Sequence, residues 1–191
     1  MTENTLQVAP LKHFTDELFS TVPNGSRYLF STLTFRVDEA FMNELYSLSE
    51  AILGPLSTEC DKFALVFQPW PQIMTSKSKD TGGNVLGISA EDGNLINMAF
   101  YAVWESPEED NNMRAVSKQL IVQASAKAKE MGVYSSFMCM NSADEWQDPI
   151  RGYGVENVEF LQDVSRKYDP KGIFQTALKG GFKLNRGKDV A

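Results

Sequence analysis

One histidine and two cysteines in 191 residues leave little from which to build a metal site or a nucleophile–base pair. Zinc sites draw four ligands from Cys, His and carboxylates, and His13, Cys60 and Cys139 stand far apart in the chain. The carboxylates show no EF-hand spacing, so no metal is expected. Neither cysteine lies in a CxxC pair, and both have apolar neighbours, which reads as buried thiols rather than a disulfide framework. His13 falls in KHFTDE on a predicted surface helix and reads as solvent-exposed. The GxSxG elbow, the P-loop and HExxH are all missing. No apolar run is long enough to span a bilayer. The first residues lack the basic start and apolar core of a secretory signal, so a cytoplasmic location is expected. Basic surplus is missing too: the formal charge is -7, which argues against a nucleic-acid partner.

What is present is an ordinary globular composition, 42% hydrophobic and 23% charged, long enough for one well-buried core. Leu11, Phe14 and Leu18 fall at helical spacing and predict a short amphipathic helix. Pro23-Asn24-Gly25 breaks it. Residues 27–37 alternate as a strand, with Leu29, Leu33, Phe35 and Val37 on one face and Tyr28, Thr32, Thr34 and Arg36 on the other. Asp38 caps a helix carrying Phe41, Leu45, Leu48 and Ile52, which Gly54-Pro55 is expected to end. A second strand spans 62–70 and a third 95–104, whose Ile96, Met98, Phe100, Ala102 and Trp104 face is wholly apolar. Short strands are expected at 84–88 and 136–140. Gly82-Gly83-Asn84 reads as a turn rather than a phosphate cradle. Ser106-Pro107-Glu108-Glu109 reads as a capping box opening a long helix that Gly132 stops. A last helix covers about 155–167, ended by Asp169-Pro170.

This order predicts an α+β fold in which helices cover one face of a mainly antiparallel sheet. The three long strands agree on which face is dry. The other, mixed face is expected to be free, and function is placed there.

Several motifs with fixed spacing bear on lineage: Thr34-Phe35, FQPWP at 67–71, GGNVLGI at 82–88, Trp104, NSADEWQDPIRGYG at 141–154 and YGVENVEFLQDVSRKYDPKGIFQ at 153–175. Over about 27–184 the chain resembles the C-terminal substrate domain of fungal berberine-bridge-enzyme-like FAD-linked oxidoreductases, a ferredoxin-like-related domain. The resemblance implies a division into an N-terminal segment at 1–25 and a substrate domain at 26–191, with the FAD-binding domain absent. It implies that the mixed face covers the isoalloxazine ring and shapes the substrate pocket. Plant members place a catalytic Glu where this chain has Asn97, and a Tyr base where Ser142 follows Asn141. An amide is no base, and an unassisted serine hydroxyl is far less acidic than a phenol. The plant-type acid–base machinery is therefore missing.

Three functions follow from the resemblance. The first is a cofactor-independent cyclase or isomerase of fungal secondary metabolism acting on a small hydrophobic substrate. Asn97, Tyr101, Gln68 and Thr34 would be its catalytic donors and acceptors, and Tyr28, Phe30, Thr32, Trp70, Asn141 and Ser142 its substrate contacts. The second is the substrate-domain subunit of a split FAD-dependent oxidoreductase, with Asn157 near a flavin supplied in trans. The third is a non-catalytic binding module. No cofactor is expected of the chain alone, since no Gly-rich loop with a flavin-anchoring histidine is seen, and FAD would come only with a partner domain. Homodimerisation, or a partner covering the free face, is expected because a bare apolar sheet face favours association.

Overall fold

The computed structural model describes residues 8–20, 25–58 and 62–184. Helix α1 (Leu11–Ser20) comes first; Leu11 and Phe14 on it stay exposed, as does His13. Then follow β1 (Arg27–Arg36), α2 (Glu39–Leu53), β2 (Lys62–Trp70), the short α3 (Gln72–Ser76), β3 (Leu95–Trp104), α4 (Asp110–Glu130), the two-residue β4 (Tyr134–Ser135), α5 (Val155–Tyr168) and α6 (Ile173–Thr176). The four strands form one sheet in the order β2-β3-β1-β4, with every pair antiparallel. The fold is α+β, as expected.

Strand parity explains the layering. Leu29, Leu33 and Phe35 from β1 and Met98, Phe100, Ala102 and Trp104 from β3 form one buried cluster, with Phe63 and Leu65 of β2 packed against it. Alternate side chains of a strand share a face, so this single choice of parity puts all three strands' apolar sets on one side. Helices α2 and α4 cover that side, packed on each other, with α4 also against β1. On α2 the stripe runs Phe41, Leu45, Ser49, Leu53, with Leu48 and Ile52 flanking it, partly buried. The Asp38 side chain accepts the Phe41 N–H at 2.8 Å, a cap worth about 1 kcal/mol. On α4, Ser117 donates to Ser31 at 2.8 Å inside the helix–sheet interface. Both hydroxyls are fully buried, and each satisfies the other. Asp110, at the start of α4, takes the Trp104 indole N–H at 2.9 Å and both arms of the Arg27 guanidinium. The guanidinium holds the Asp110 carboxyl below its ordinary range. This knot ties the first turn of α4 to the far end of β1.

Six expectations are corrected. Residues 84–88 form a turn, not a strand: Asn84 spends its side chain on the local backbone, accepting from Leu86 N–H and donating to Ile88 O. The short fourth strand lies at Tyr134–Ser135 rather than 136–140, because only Thr34 and Phe35 of β1 are paired there. Gly54 is right-handed helical (φ -50°), so α2 runs on into a 3-10 turn, Gly54–Thr58, instead of stopping at a left-handed cap. Val37, just beyond β1, is 57% exposed. Cys139 is partly exposed rather than buried; Cys60 lies outside the described residues. The largest correction concerns the second sheet face, which is only half free.

Candidate functional site

The loops at 84–93 and 136–154 fold over one half of the second face. They build a second, smaller cluster from Ile88, Leu95, Phe137 and Tyr153, joined by Trp70, Leu86 and Leu161. Trp70 and Phe137 lie 5.1 Å apart between ring centres, and Phe137 stacks on Tyr153 at 6.4 Å. Trp70, expected as a substrate wall, is thus part of this packing. Two glycines permit the close approach. A Cβ on Gly87 would sit 2.4 Å from the Tyr153 carbonyl oxygen, and one on Gly152 would sit 2.3 Å from that of Ser136.

At the junction of the two halves lies a buried polar network. Asn97 is fully buried and Thr32 and Thr34 nearly so. The Asn97 amide donates to the Thr32 hydroxyl at 2.7 Å and to the Thr34 hydroxyl at 3.0 Å, and Thr32 passes its own proton to the Met98 carbonyl at 2.9 Å. The Asn97 Oδ1 is buried without a protein partner. Three residues expected on an open face therefore sit under cover, with the Asn97 donors committed to the two threonines and the Thr32 donor to the Met98 backbone. Asn97 is flanked across the strands by Thr34 on one side and Gln68 on the other, and Gln68 is exposed.

Gln147 was invisible in the sequence. Its side chain accepts from the Thr32 N–H at 3.0 Å and donates to the Thr32 carbonyl at 2.7 Å, while its oxygen also takes the Asp144 N–H at 3.0 Å. A side-chain amide has the donor–acceptor pair of a peptide unit, so Gln147 acts as a one-residue strand on the edge of β1. No periodicity marks such a residue; its position inside the fixed-spacing block at 141–154 was the only signal. Beside it, burial pushes the Asp144 carboxyl up, opposed by the Glu145 N–H and the Arg114 charge. A cleft of about 350 Å³ opens at this edge, walled by Thr32, Thr34, Lys129, Tyr134, Trp146 and Gln147 among others. The Lys129 ammonium stands 4.6 Å over the Tyr134 ring.

The other half of the second face carries exposed aromatic and apolar residues. Here Phe30 pairs with Tyr101, and Tyr101 in turn with Ala64 of β2. The Phe30 and Tyr101 rings lie 5.9 Å apart. Phe30 is 45% exposed, Tyr28 39% and Val66 39%, an apolar and aromatic patch that reaches from β1 to the edge strand β2. The Met140–Ser142 turn touches β1, which brings Asn141 and Ser142 to the β1 side of the sheet. Of the residues expected to form a site, Tyr28, Phe30 and Tyr101 share this half, and Gln68 lies exposed beyond Val66 along the same face of β2. Asn97, Thr32, Thr34 and Trp70 do not share it. Asn157 donates to the Tyr153 carbonyl at 2.9 Å and so fastens the first turn of α5. Among the described residues, no cluster of His, Cys, Asp and Glu could hold a metal ion, and no helix is long and apolar enough to cross a membrane.

No family model matches the chain, and no solved structure does. Curated proteins do. The FAD-dependent monooxygenase sdcF of Emericella nidulans is 40% identical over 171 residues, 87% of this chain and 36% of that protein. The FAD-dependent monooxygenase FUP4 of Fusarium proliferatum is 37% identical over 186 residues, 94% of this chain and 36% of its own length. The FAD-dependent monooxygenase drtC of Aspergillus calidoustus is 32% identical over 187 residues, 96% of this chain and 35% of its own length. The chain spans roughly a third of the length of these relatives. It is similar, over nearly all its residues, to one part of fungal FAD-dependent monooxygenases.

Proposed function

We propose that this chain supplies the substrate-side wall of a FAD-dependent monooxygenase, and that a flavin-carrying module seats on the exposed aromatic half of its second sheet face. One observation carries the reading. The sheet is covered by helices on one side and by loops over half of the other, yet Phe30 on β1 and Val66 on β2 stay 45% and 39% exposed, with the half-buried Tyr101 ring beside Phe30. An apolar and aromatic patch of this kind marks an interaction site, and a flat isoalloxazine ring with an apolar substrate is a fitting neighbour for it. The similarity to proteins named for FAD supports the choice of partner. In this reading residues 26–191 form a berberine-bridge-enzyme-like substrate domain. Tyr101 and Gln68 offer polar atoms toward the substrate, while Thr34 and Asn97 stiffen the strands beneath, and the FAD is held by the partner module.

A second reading is a flavin-independent cyclase or isomerase of fungal secondary metabolism. The cleft beside Thr32 and Thr34 supports it, since about 350 Å³ is within the range of small-molecule sites. One set of measurements separates the two. The chain is titrated with the flavin-carrying part of the Emericella nidulans relative, and binding is followed by calorimetry. The first reading expects a complex that Phe30→Asp and Tyr101→Asp weaken by about tenfold or more, as for charges placed in an interface core. A complex indifferent to both changes, or none at all, sinks it. Turnover of a small hydrophobic substrate by the colourless chain alone would favour the second.

A further inference from the structure

The two edges of the sheet are treated differently. At the β1 edge, Gln147 occupies the N–H and C=O of Thr32, the two residues of β4 pair with Thr34 and Phe35, and Arg36 donates its backbone N–H to Val133 at 2.8 Å. At the other edge, β2 runs for nine residues, and among the described residues it pairs only with β3. The direction of its backbone groups follows from the register. Because Thr32 turns its peptide groups outward to Gln147, the odd residues of β1 face β3. On β3, Ile96, Met98, Phe100 and Ala102 answer them. That leaves Asn97, Ala99 and Tyr101 to bond Gln68, Val66 and Ala64 of β2. Adjacent residues of a strand point their peptide groups to opposite sides, so Phe63, Leu65 and Phe67 present theirs outward, away from the sheet.

Natural edges are blunted by charge, proline, bulges or a covering element. Between Phe63 and Trp70, β2 has no charged residue. Its one proline, Pro69, stands past the Phe63–Phe67 stretch, at an outward position where the missing N–H breaks no bond to β3. Val66 and Phe67 are 39% and 40% exposed, one on each face. We infer that β2 pairs with β2 of a second copy, antiparallel about a two-fold axis, to make one continuous sheet. The argument for a second copy is charge and symmetry. In a chain of net charge -7, the uncharged stretch 63–70, preceded by a single charged residue of β2, Lys62, lets two copies meet without like charges opposed. Antiparallel self-pairing also closes on itself, leaving no further edge to grow. The inference does not depend on the flavin reading, which concerns the sheet face and a different partner.

Sedimentation at micromolar concentration tests it. The chain is expected to run as a dimer, and Phe67→Pro, which removes an outward N–H but no bond to β3, is expected to halve the mass while far-ultraviolet circular dichroism stays unchanged. If that variant fails to fold, amide exchange on the unaltered chain decides. The Phe63, Leu65 and Phe67 amides are expected to lose protection on dilution, while Ala64, Val66 and Gln68 keep theirs. A chain that sediments as a monomer, a dimer that survives Phe67→Pro, or outward amides whose exchange ignores dilution would each overturn the inference.

Discussion

Gln147 shows how much one side chain can decide at the scale of a residue. It is 3% exposed and stands in for a strand where the ladder along β1 would otherwise end. Removing it leaves a buried N–H and a buried C=O of Thr32 without partners, each costing about 1–3 kcal/mol. Gln147→Leu is therefore expected to lower the denaturant midpoint markedly without changing the slope, and Gln147→Glu to do so more strongly above the carboxylate range, where a charge would be buried. A midpoint within error of the parent would mean the amide is not structural. Asn97 teaches a related lesson. In sequence it looked like a polar group on an open face; in the fold its donors belong to Thr32 and Thr34. Alternation tells which face a residue is on but not what lies above that face.

The elements were largely legible. Parity placed Leu29, Leu33, Phe35 and the even positions of β3 on one dry face, and capping chemistry placed α2; at 106–109 the expected capping box is instead a Ser106 cap on a 3-10 turn, and α4 begins at Asp110 without a side-chain cap. Errors gathered where local pattern is weak. The stretch 84–88 has strand-like composition, yet Gly87 adopts φ +71° and Asn84 bonds its own loop, so a turn wins. Gly87 lets this turn press on Tyr153, and Gly152 lets the 151–153 turn press on Ser136, through approaches that only glycine allows. Gly87→Ala and Gly152→Ala are each expected to cost several kcal/mol, because the obstructing atoms are backbone and cannot move aside. Gly54→Ala is the contrast: its backbone is right-handed and no atom beyond its chain neighbours lies within 4 Å of the added carbon, so the helical gain, offset by the clash of Pro55 with a Cβ just before it, leaves a change far smaller than at Gly87 or Gly152. Thermal melts of the three variants check the order. A Gly152→Ala protein as stable as the parent would contradict the packing described.

For the whole molecule, the core is double: a large cluster between sheet and helices, and a small aromatic one under the C-terminal loops. Helix α5 has no buried residue, and Phe160 on it and Phe174 on α6 are 56% and 63% exposed. Elements with little buried apolar area open at lower cost than the core. Amide exchange is therefore expected to be fastest in α5 and α6, slower in the loops around Phe137 and Tyr153, and slowest in β3 and α4. Protection in α5 equal to that in β3 would mean the C-terminal helices are tied down by contacts absent here.

By itself the sequence determined the α+β class, the antiparallel strands, the dry face and the similarity to flavin-linked fungal enzymes. These follow from period-two and period-3.6 apolar patterns, capping residues and fixed-spacing motifs, all of which are local in the chain. Tertiary structure alone decided which half of the mixed face stays open, because the loop that carries Gln147 meets Thr32 from 115 positions away along the chain. Thr32 and Gln147 meet across the sheet edge, and nothing in the spacing between them announces it. The same long-range closure separates the buried Asn97, Thr32 and Thr34 from the exposed Tyr28, Phe30 and Tyr101, and so chooses which polar and aromatic groups a partner or substrate can reach.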